Sequence, residues 1–557
     1  MKYLNIILYI LLVPFEAMSS VLFATLLQPV IDTGINKNTE AFIQMFSLLF
    51  IVSIGNLVLN YATGYFFIKV IANNKASLKN TYLTAILNKK PSEFYKKDTG
   101  YYVTKITVDS EAIAEKYYAS IMKMYRIAWS FILSVIAIIR VDWKIAIIVL
   151  AFAMLSASIP KMFQKSATIA EENYLYSNNV MISRTQNLLQ CYLLIKAYHL
   201  YKDSKQKFMQ TSSQLEQHTI KREEKELFIN NMSLGLTQIS FLVIIGVCVI
   251  LILYNVISVG YVMSVTQLLG SVMAPFELLP VYLLCYKTGK EIDKKNKVEF
   301  EVTKEKEGKD IPQKSNSVLS VNNVCFSYEN EKALLNHISM ELDLGKKYAI
   351  VGESGSGKTT LAKLLAGFLP HSSGNIYING TPLEDVKEEQ FYRMISYQEQ
   401  QIALFHDTLE YNITLGTTIT EETWNYVLEQ AQLKQLISGL PDGKHTIIEE
   451  GGKNLSGGEA QRIGVARCLA NKKAFVIYDE IVASLDNETA LEIEKTILTQ
   501  DKMGVLMVTH RIHPQTMKLY DTIFVMEQGK IVECGTFSQL MEKKGKFYLL
   551  ATIVHEK

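Results

Sequence analysis

YAIVGESGSGKTTLAKLLAGFL, residues 348–369, decides the fold of the second half of the chain. A short β-branched run breaks at Gly352 into a loop of glycine and serine, and the loop opens directly into an apolar helical pattern. Gly352 to Thr359 matches GxxxxGK[ST] in the strand–loop–helix setting that gives this pattern its meaning. The glycines let backbone N–H groups wrap a phosphate at the positive end of a helix. Lys358 is placed to reach the β and γ phosphates and the Thr359 hydroxyl to ligate Mg2+.

Working outward, AFVIYDE (474–480) and GVLMVTH (504–510) read as buried strands alternating with helical stretches, which predicts an α/β domain around a largely parallel sheet. Asp479 ends the first of these strands where a carboxylate can hold Mg2+ through water, and Glu480 beside it can position or deprotonate a water. His510 closes the second strand. Alone it would be a satisfied strand-end histidine; with these companions it is a candidate γ-phosphate contact.

The first half is of a different kind. A membrane helix needs about 20 mainly apolar residues, and the runs at 4–31, 41–72, 119–140, 143–163, 229–254 and 256–286 meet that length. The first is longer than a signal-peptide core and no small-residue cleavage pattern follows it. Lys-rich segments at 69–126 and 161–225 contrast with the poorly basic links DTGINKNTE and YNVISVGY, so both termini are expected to be cytoplasmic. Arg140 and Lys144 run against that rule. The basic segments carry apolar residues at helical spacing, either as surface-lying loops or, fitting better, as helices that continue the spans into the cytosol. Glu16 and Glu277 sit inside spans, where an ionisable group is costly. Each is a candidate substrate contact or lies near an interface or a water-filled cavity.

Net charge is +2, from 57 basic and 55 acidic residues, which carries no signal for nucleic acid. The six cysteines have no CxxC pair or metal-ligand spacing, as expected of reduced thiols in a protein whose soluble mass faces the cytosol. The charged stretch 287–315 reads as a solvated linker. The expectation is therefore an α-helical six-span transmembrane domain (1–286), a linker (287–315) and an α/β P-loop ATPase domain (316–557).

FSYEN (326–330), the phosphate loop, LSGGE (455–459), the YDE strand end and VTHR (508–511) occur in the order of an ABC transporter ATPase domain, which residues 316–557 resemble. FYKKDTGYYVTKITVD (94–109) and LLIKAYHL (193–200) resemble the two intracellular loops of that superfamily's exporter-type membrane domain. The resemblance implies a multi-pass half-transporter of the cell membrane that binds ATP and Mg2+, with the lipid bilayer and not nucleic acid as its partner. A second half-transporter, identical or homologous, would complete two composite ATP sites. It implies nucleotide contacts from Tyr328, which would stack on adenine, from Gly352, Glu353, Ser354, Gly355, Ser356, Gly357, Lys358, Thr359 and Thr360, and from Ser456, Gly457, Gly458 and Asp486. Thr359, Gln400 and Asp479 would serve the metal, and Glu480, His510 and Gln400 catalysis. Gln398 and Gln401 flank Gln400, whose choice rests on the LF, TL and NI that follow it. Glu450 would touch the coupling segments.

The chain departs from the family pattern at Cys191, where glycine is usual, in IVASLD for ATSALD, and at Glu459, where glutamine is commonest. No Cys/His peptidase segment stands before the first span, so leader processing is not expected. The implied activity is ATP-driven export of a small hydrophobic, peptidic or lipid-like substrate. Import of a metal-chelator complex and lipid flipping remain open, since no motif encodes direction, whereas six spans argue against a soluble ATPase.

Overall fold

The computed structural model describes residues 2–300, 308–311, 317–327, 333–482 and 485–555. It divides into two compact units, one of residues 1–87 and 98–301 and one of 88–97 and 302–557.

Six long helices build the first unit: α1 (Lys2–Ile35), α2 (Thr39–Leu87), α3 (Thr99–Val141), α4 (Trp143–Gln190), α5 (Tyr201–Leu253) and α6 (Val259–Glu299). Five are long and apolar enough to cross a bilayer, and α4 opens with the apolar stretch Trp143–Leu155. At 49 residues α2 is about 70 Å long, more than twice the hydrocarbon thickness. The basic segments are thus continuations of span helices.

Side chains divide as a membrane requires. Val265, Leu268, Val272 and Met273 of α6 pack with Ile138 of α3, Ile145 and Val149 of α4, Ile244 of α5 and Ala24 of α1. Phe50, Ile51, Leu57, Val58 and Tyr61 of α2 are exposed, a face that lipid tolerates and water would not. Close packing falls on small residues, as expected where lipid tails compete with apolar side chains. A Cβ on Gly260 would lie 2.3 Å from the Gln28 carbonyl oxygen. Beside it the Asp32 carboxylate accepts from the Gly260 N–H (2.9 Å) and from the Ser258 hydroxyl, capping α6 from the end of α1.

Two differences from expectation concern α3 and α6. The linker expected from Lys287 begins as helix: α6 runs on to Glu299 because Gly289, Asp293 and Asn296 are buried against the start of α3. There Asn296 donates to Asp109 (3.1 Å) and accepts from Lys105 (2.9 Å), so polar residues that look solvated in sequence are spent internally. Within α3, Lys105–Asp109 and Ile113–Tyr118 are π-helical, and the second stretch lies against Gly289, where a Cβ would come within 2.6 Å of the Tyr117 nitrogen.

The second unit has two sheets. Strands β1 (Ser317–Phe326), β2 (Leu335–Asp343), β4 (Ser373–Ile378) and β5 (Thr381–Pro382) form an antiparallel sheet in the order β2-β1-β4-β5. The larger sheet takes β3 (Lys347–Gly352), β6 (Ile395–Gln398), β7 (Phe475–Asp479), β8 (Gly504–Val508), β9 (Thr522–Glu527) and β10 (Lys530–Gly535) in the order β10-β9-β3-β8-β7-β6. Five of these strands run parallel and β10 closes the edge antiparallel. Strands β3, β7 and β8 are buried on both faces, which is why they read as unbroken apolar runs. Helices α7 (Lys358–Leu365), α8 (Gly457–Ala470), α9 (Asn487–Leu498) and α10 (Lys546–His555) matter to the site.

Candidate active site

Three adjacent strands of the parallel sheet, β3, β8 and β7, end side by side, and ligand sites of open α/β sheets lie at such carboxyl ends. The Thr509 N–H donates to the Ile350 carbonyl (3.1 Å) and the Glu480 N–H to the Val508 carbonyl (3.0 Å). The phosphate loop, His510 and the Asp479–Glu480 pair are thereby held at one level.

The loop turns as its glycines allow. Gly357, at φ 98°, caps α7 in the left-handed region, and an added Cβ would lie 2.8 Å from Leu335. A Cβ on Gly352 would meet the Met526 carbonyl oxygen at 2.2 Å, so strand β9 leaves room for glycine alone. Lys358 is buried and donates to the carbonyls of Gly352 (3.1 Å) and Glu353 (2.9 Å). Burial lowers its pKa, while Glu480 and Asp479 pull the other way and favour the ammonium. Ser356 is buried too, and among the described residues its hydroxyl has no partner. Such an orphan in an amide-lined loop suits an incoming anion. Thr360 is buried in the first turn of α7, and the Glu353 side chain turns out to Lys546 (2.8 Å).

Thr359 and Asp479, 120 residues apart, meet: the threonine hydroxyl donates to the carboxylate at 3.1 Å. A hydroxyl and a carboxylate are the oxygen donors Mg2+ prefers, so the residues present fit the ion. The second Asp479 oxygen accepts from Tyr397 (2.9 Å). Burial, then the neighbouring carboxylate, push the Tyr397 phenol far above the ordinary tyrosine range, which keeps it a donor. Tyr397 was not singled out from sequence, and only the pairing of β6 with β7 brings it to Asp479.

Glu480 is held at both carboxylate oxygens. His510 Nε2 lies 2.5 Å from Oε1 and Gln400 Nε2 lies 3.0 Å from Oε2. Its backbone is left-handed, at φ 52°, which is uncommon outside glycine and accompanies the turn that aims the side chain. Of the three neighbouring glutamines, Gln400 reaches Glu480, while Gln398 is buried beside Gly464. Arg467 of α8 donates to the carbonyls of Ala403 (3.0 Å) and Asn412 (2.9 Å), fastening the loop after Gln400, another contact the sequence does not announce.

The remaining candidates lie elsewhere or differently. Ser456 caps α8 in a reciprocal capping box: Glu459 accepts from the Ser456 N–H (2.7 Å) and hydroxyl (2.8 Å), and the Glu459 N–H donates back (3.3 Å). Glu459 thereby has a local role that glutamate and glutamine can both fill. Among the described residues no hydrogen bond joins Ser456, Gly457 or Gly458 to the loop 352–360. Asp486 caps α9, accepting from the Thr489 N–H (3.0 Å), a bond that lowers its carboxyl pKa. Glu450 starts a short 3-10 turn. Tyr328 lies outside the described residues.

In the first unit, Glu16 is buried and paired with Arg126 of α3, whose guanidinium reaches Oε1 from two nitrogens, while Oε2 has no partner among the described residues. Glu277 accepts from Thr237 (2.7 Å). Both carboxylates thus have partners inside the unit.

Residues 335–483 match the family described as ABC transporter, and residues 6–276 match the ABC transporter transmembrane region. An ATP-dependent lipid A-core flippase of Vibrio vulnificus (strain YJ016) is 25% identical over 97% of this chain and 93% of its own length. The multidrug resistance-like ATP-binding protein MdlB of Buchnera aphidicola subsp. Acyrthosiphon pisum (strain APS) is 26% identical over 90% of this chain and 87% of its own. A solved bacterial Atm1-family ABC exporter with ATP bound superposes at TM-score 0.81, with 20% identity, over 98% of this chain and 97% of that one.

Proposed function

We propose, from the premise that this chain belongs to the ABC transporters as an exporter-type half-transporter, that two half-transporters, identical or homologous, bind two ATP molecules between their ATPase units. The chain couples ATP hydrolysis to transport across a membrane. The observation that carries the catalytic reading is the double hold on Glu480, by His510 at one oxygen and Gln400 at the other, beside Asp479 and Thr359.

Lys358 and the N–H groups of residues 352–359 bind the phosphates, and Thr359 and Asp479 hold Mg2+, which when bound neutralises phosphate charge. Glu480 orients the attacking water and takes its proton on Oε2 once Gln400 yields that oxygen. His510 keeps the other oxygen, and so the carboxylate, in place. Ser456, Gly457 and Gly458 serve the nucleotide held by the opposite subunit, Asp486 lines the same dimer face, and Tyr328 stacks on adenine. Closure of the dimer by ATP then shifts the spans between two access states. Both termini are cytoplasmic, in a bacterial plasma membrane.

The cargo is a small hydrophobic, peptidic or lipid-like molecule. Relatives named as lipid A-core flippases, matching along 97% of the chain, favour the lipid-like reading, with movement between leaflets as the second form of the activity. Glu480→Gln tests the catalytic assignment: the reconstituted assembly should bind ATP but release almost no phosphate, and wild-type turnover would sink it. A screen of lipids and peptides for stimulated ATPase in nanodiscs tests the cargo, with peptide-only stimulation counting against a lipid.

A further inference from the structure

The phosphate loop contains a carboxylate, Glu353, immediately after Gly352. That is an awkward charge to set beside a polyphosphate, because like charges at short range repel even where solvent screens them. Its partner is Lys546, the first residue of α10, whose ammonium lies 2.8 Å from Glu353 and 2.7 Å from Glu527 at the end of β9. The ammonium lowers the pKa of the Glu353 carboxyl, and the two carboxylates raise that of Lys546, so the Glu353–Lys546 pair is charged at neutral pH.

Lys546 is placed with care. Glu533 of β10 accepts from the N–H groups of Lys546 (2.8 Å) and Phe547 (3.0 Å), capping the start of α10. The preceding residue is Gly545, where a Cβ would fall 1.9 Å from that carboxylate, so a side chain there would displace it. One residue on, Phe547 is fully buried and meets Phe537 edge to face. Thus α10 is anchored by Phe547 and Glu533 and aims one cation at the phosphate loop. The ion pairs are exposed enough to contribute little to folding, and their effect falls on the neighbouring loop instead.

We propose that Lys546 is a positioning residue for the nucleotide: by neutralising Glu353 it lets an acidic phosphate loop accept ATP, and it makes nucleotide affinity depend on α10 being docked. The proposal rests on the reading that residues 352–359 hold the phosphates. It goes beyond that reading in assigning a role to the carboxyl-terminal helix.

The test is steady-state ATPase of the reconstituted full-length assembly. Lys546→Ala should raise KM for ATP roughly three- to tenfold with kcat little changed, and high salt should shrink the difference. Adding Glu353→Gln to Lys546→Ala should return KM most of the way, and Lys546→Arg should behave as wild type. Thermal midpoints of all three variants show whether α10 stays docked. An unchanged KM in Lys546→Ala, or a rise of equal size with and without the Glu353 carboxylate, overturns the proposal. Wild-type nucleotide binding by Lys358→Ala would instead overturn the underlying reading of the loop, so the two failures are distinguishable.

Discussion

Gln400 Nε2 stands 3.0 Å from Glu480 Oε2, so the carboxylate that follows β7 is gripped by the loop that follows β6. Gln400→Glu replaces this donor with a second carboxylate, and like charges at that separation repel, so Glu480 should no longer be held where it can orient water. The variant should bind ATP yet lose roughly tenfold or more in kcat for ATP hydrolysis. A wild-type kcat would mean that the Gln400 contact does not position Glu480.

Glu459→Gln keeps an acceptor at the third position of α8 and should leave the thermal midpoint of the ATPase unit within about a degree of wild type. Glu459→Ala removes the acceptor for the Ser456 N–H and should cost about 1 kcal/mol. Equal stability of the two variants, by thermal unfolding, would show that the capping box contributes nothing.

The Glu16–Arg126 pair joins a buried carboxylate to a guanidinium that is only half covered, so its loss should cost less than that of a fully buried pair. Glu16→Leu removes the partner of that guanidinium and should destabilise the purified protein by about 1–3 kcal/mol. Adding Arg126→Met should recover most of that loss. A double variant as unstable as the single one, measured in the same detergent, would place the importance of Glu16 outside the pair.

Glu494 of α9 is buried with Tyr520, and burial raises its carboxyl pKa above the ordinary glutamate value. A raised folded-state pKa means that the native state binds the proton more tightly than the unfolded chain. That stability is present below the usual carboxylate range and is lost as pH rises through it to the folded value. Glu494→Gln, which keeps an acceptor for the Tyr520 hydroxyl, should therefore raise the melting temperature at neutral pH, by an amount that shrinks as pH falls toward 4. A gain that is flat with pH would assign the effect to packing.

Much of the nucleotide site can be read from the chain because strand ends and phosphate loops obey local rules. Lys358, Thr359, Asp479 and Glu480 follow from a glycine-rich turn and from buried strands that stop at acids. What escapes such reading depends on pairing between distant segments. Tyr397 reaches Asp479 only through the order of β6 and β7, and Lys546 reaches Glu353 only because α10 packs beside β3. Glu16 and Arg126, 110 residues apart, look like an isolated acid and a cytoplasmic base until α1 and α3 are side by side. The charged run from Lys287 misled for a related reason: solvated composition cannot reveal that Asp293 and Asn296 point inward.

The order of strands in the larger sheet has a consequence for biogenesis. Strand β8 lies between β3 and β7, yet it leaves the ribosome after both, and the Glu480 N–H bonds to its Val508 carbonyl. A nascent chain can complete its phosphate loop and even its Asp479–Glu480 corner without joining them. The hydrolytic centre is thus assembled only after α1 to α6 have been synthesised, so a chain still inserting those helices has no working engine with which to squander ATP.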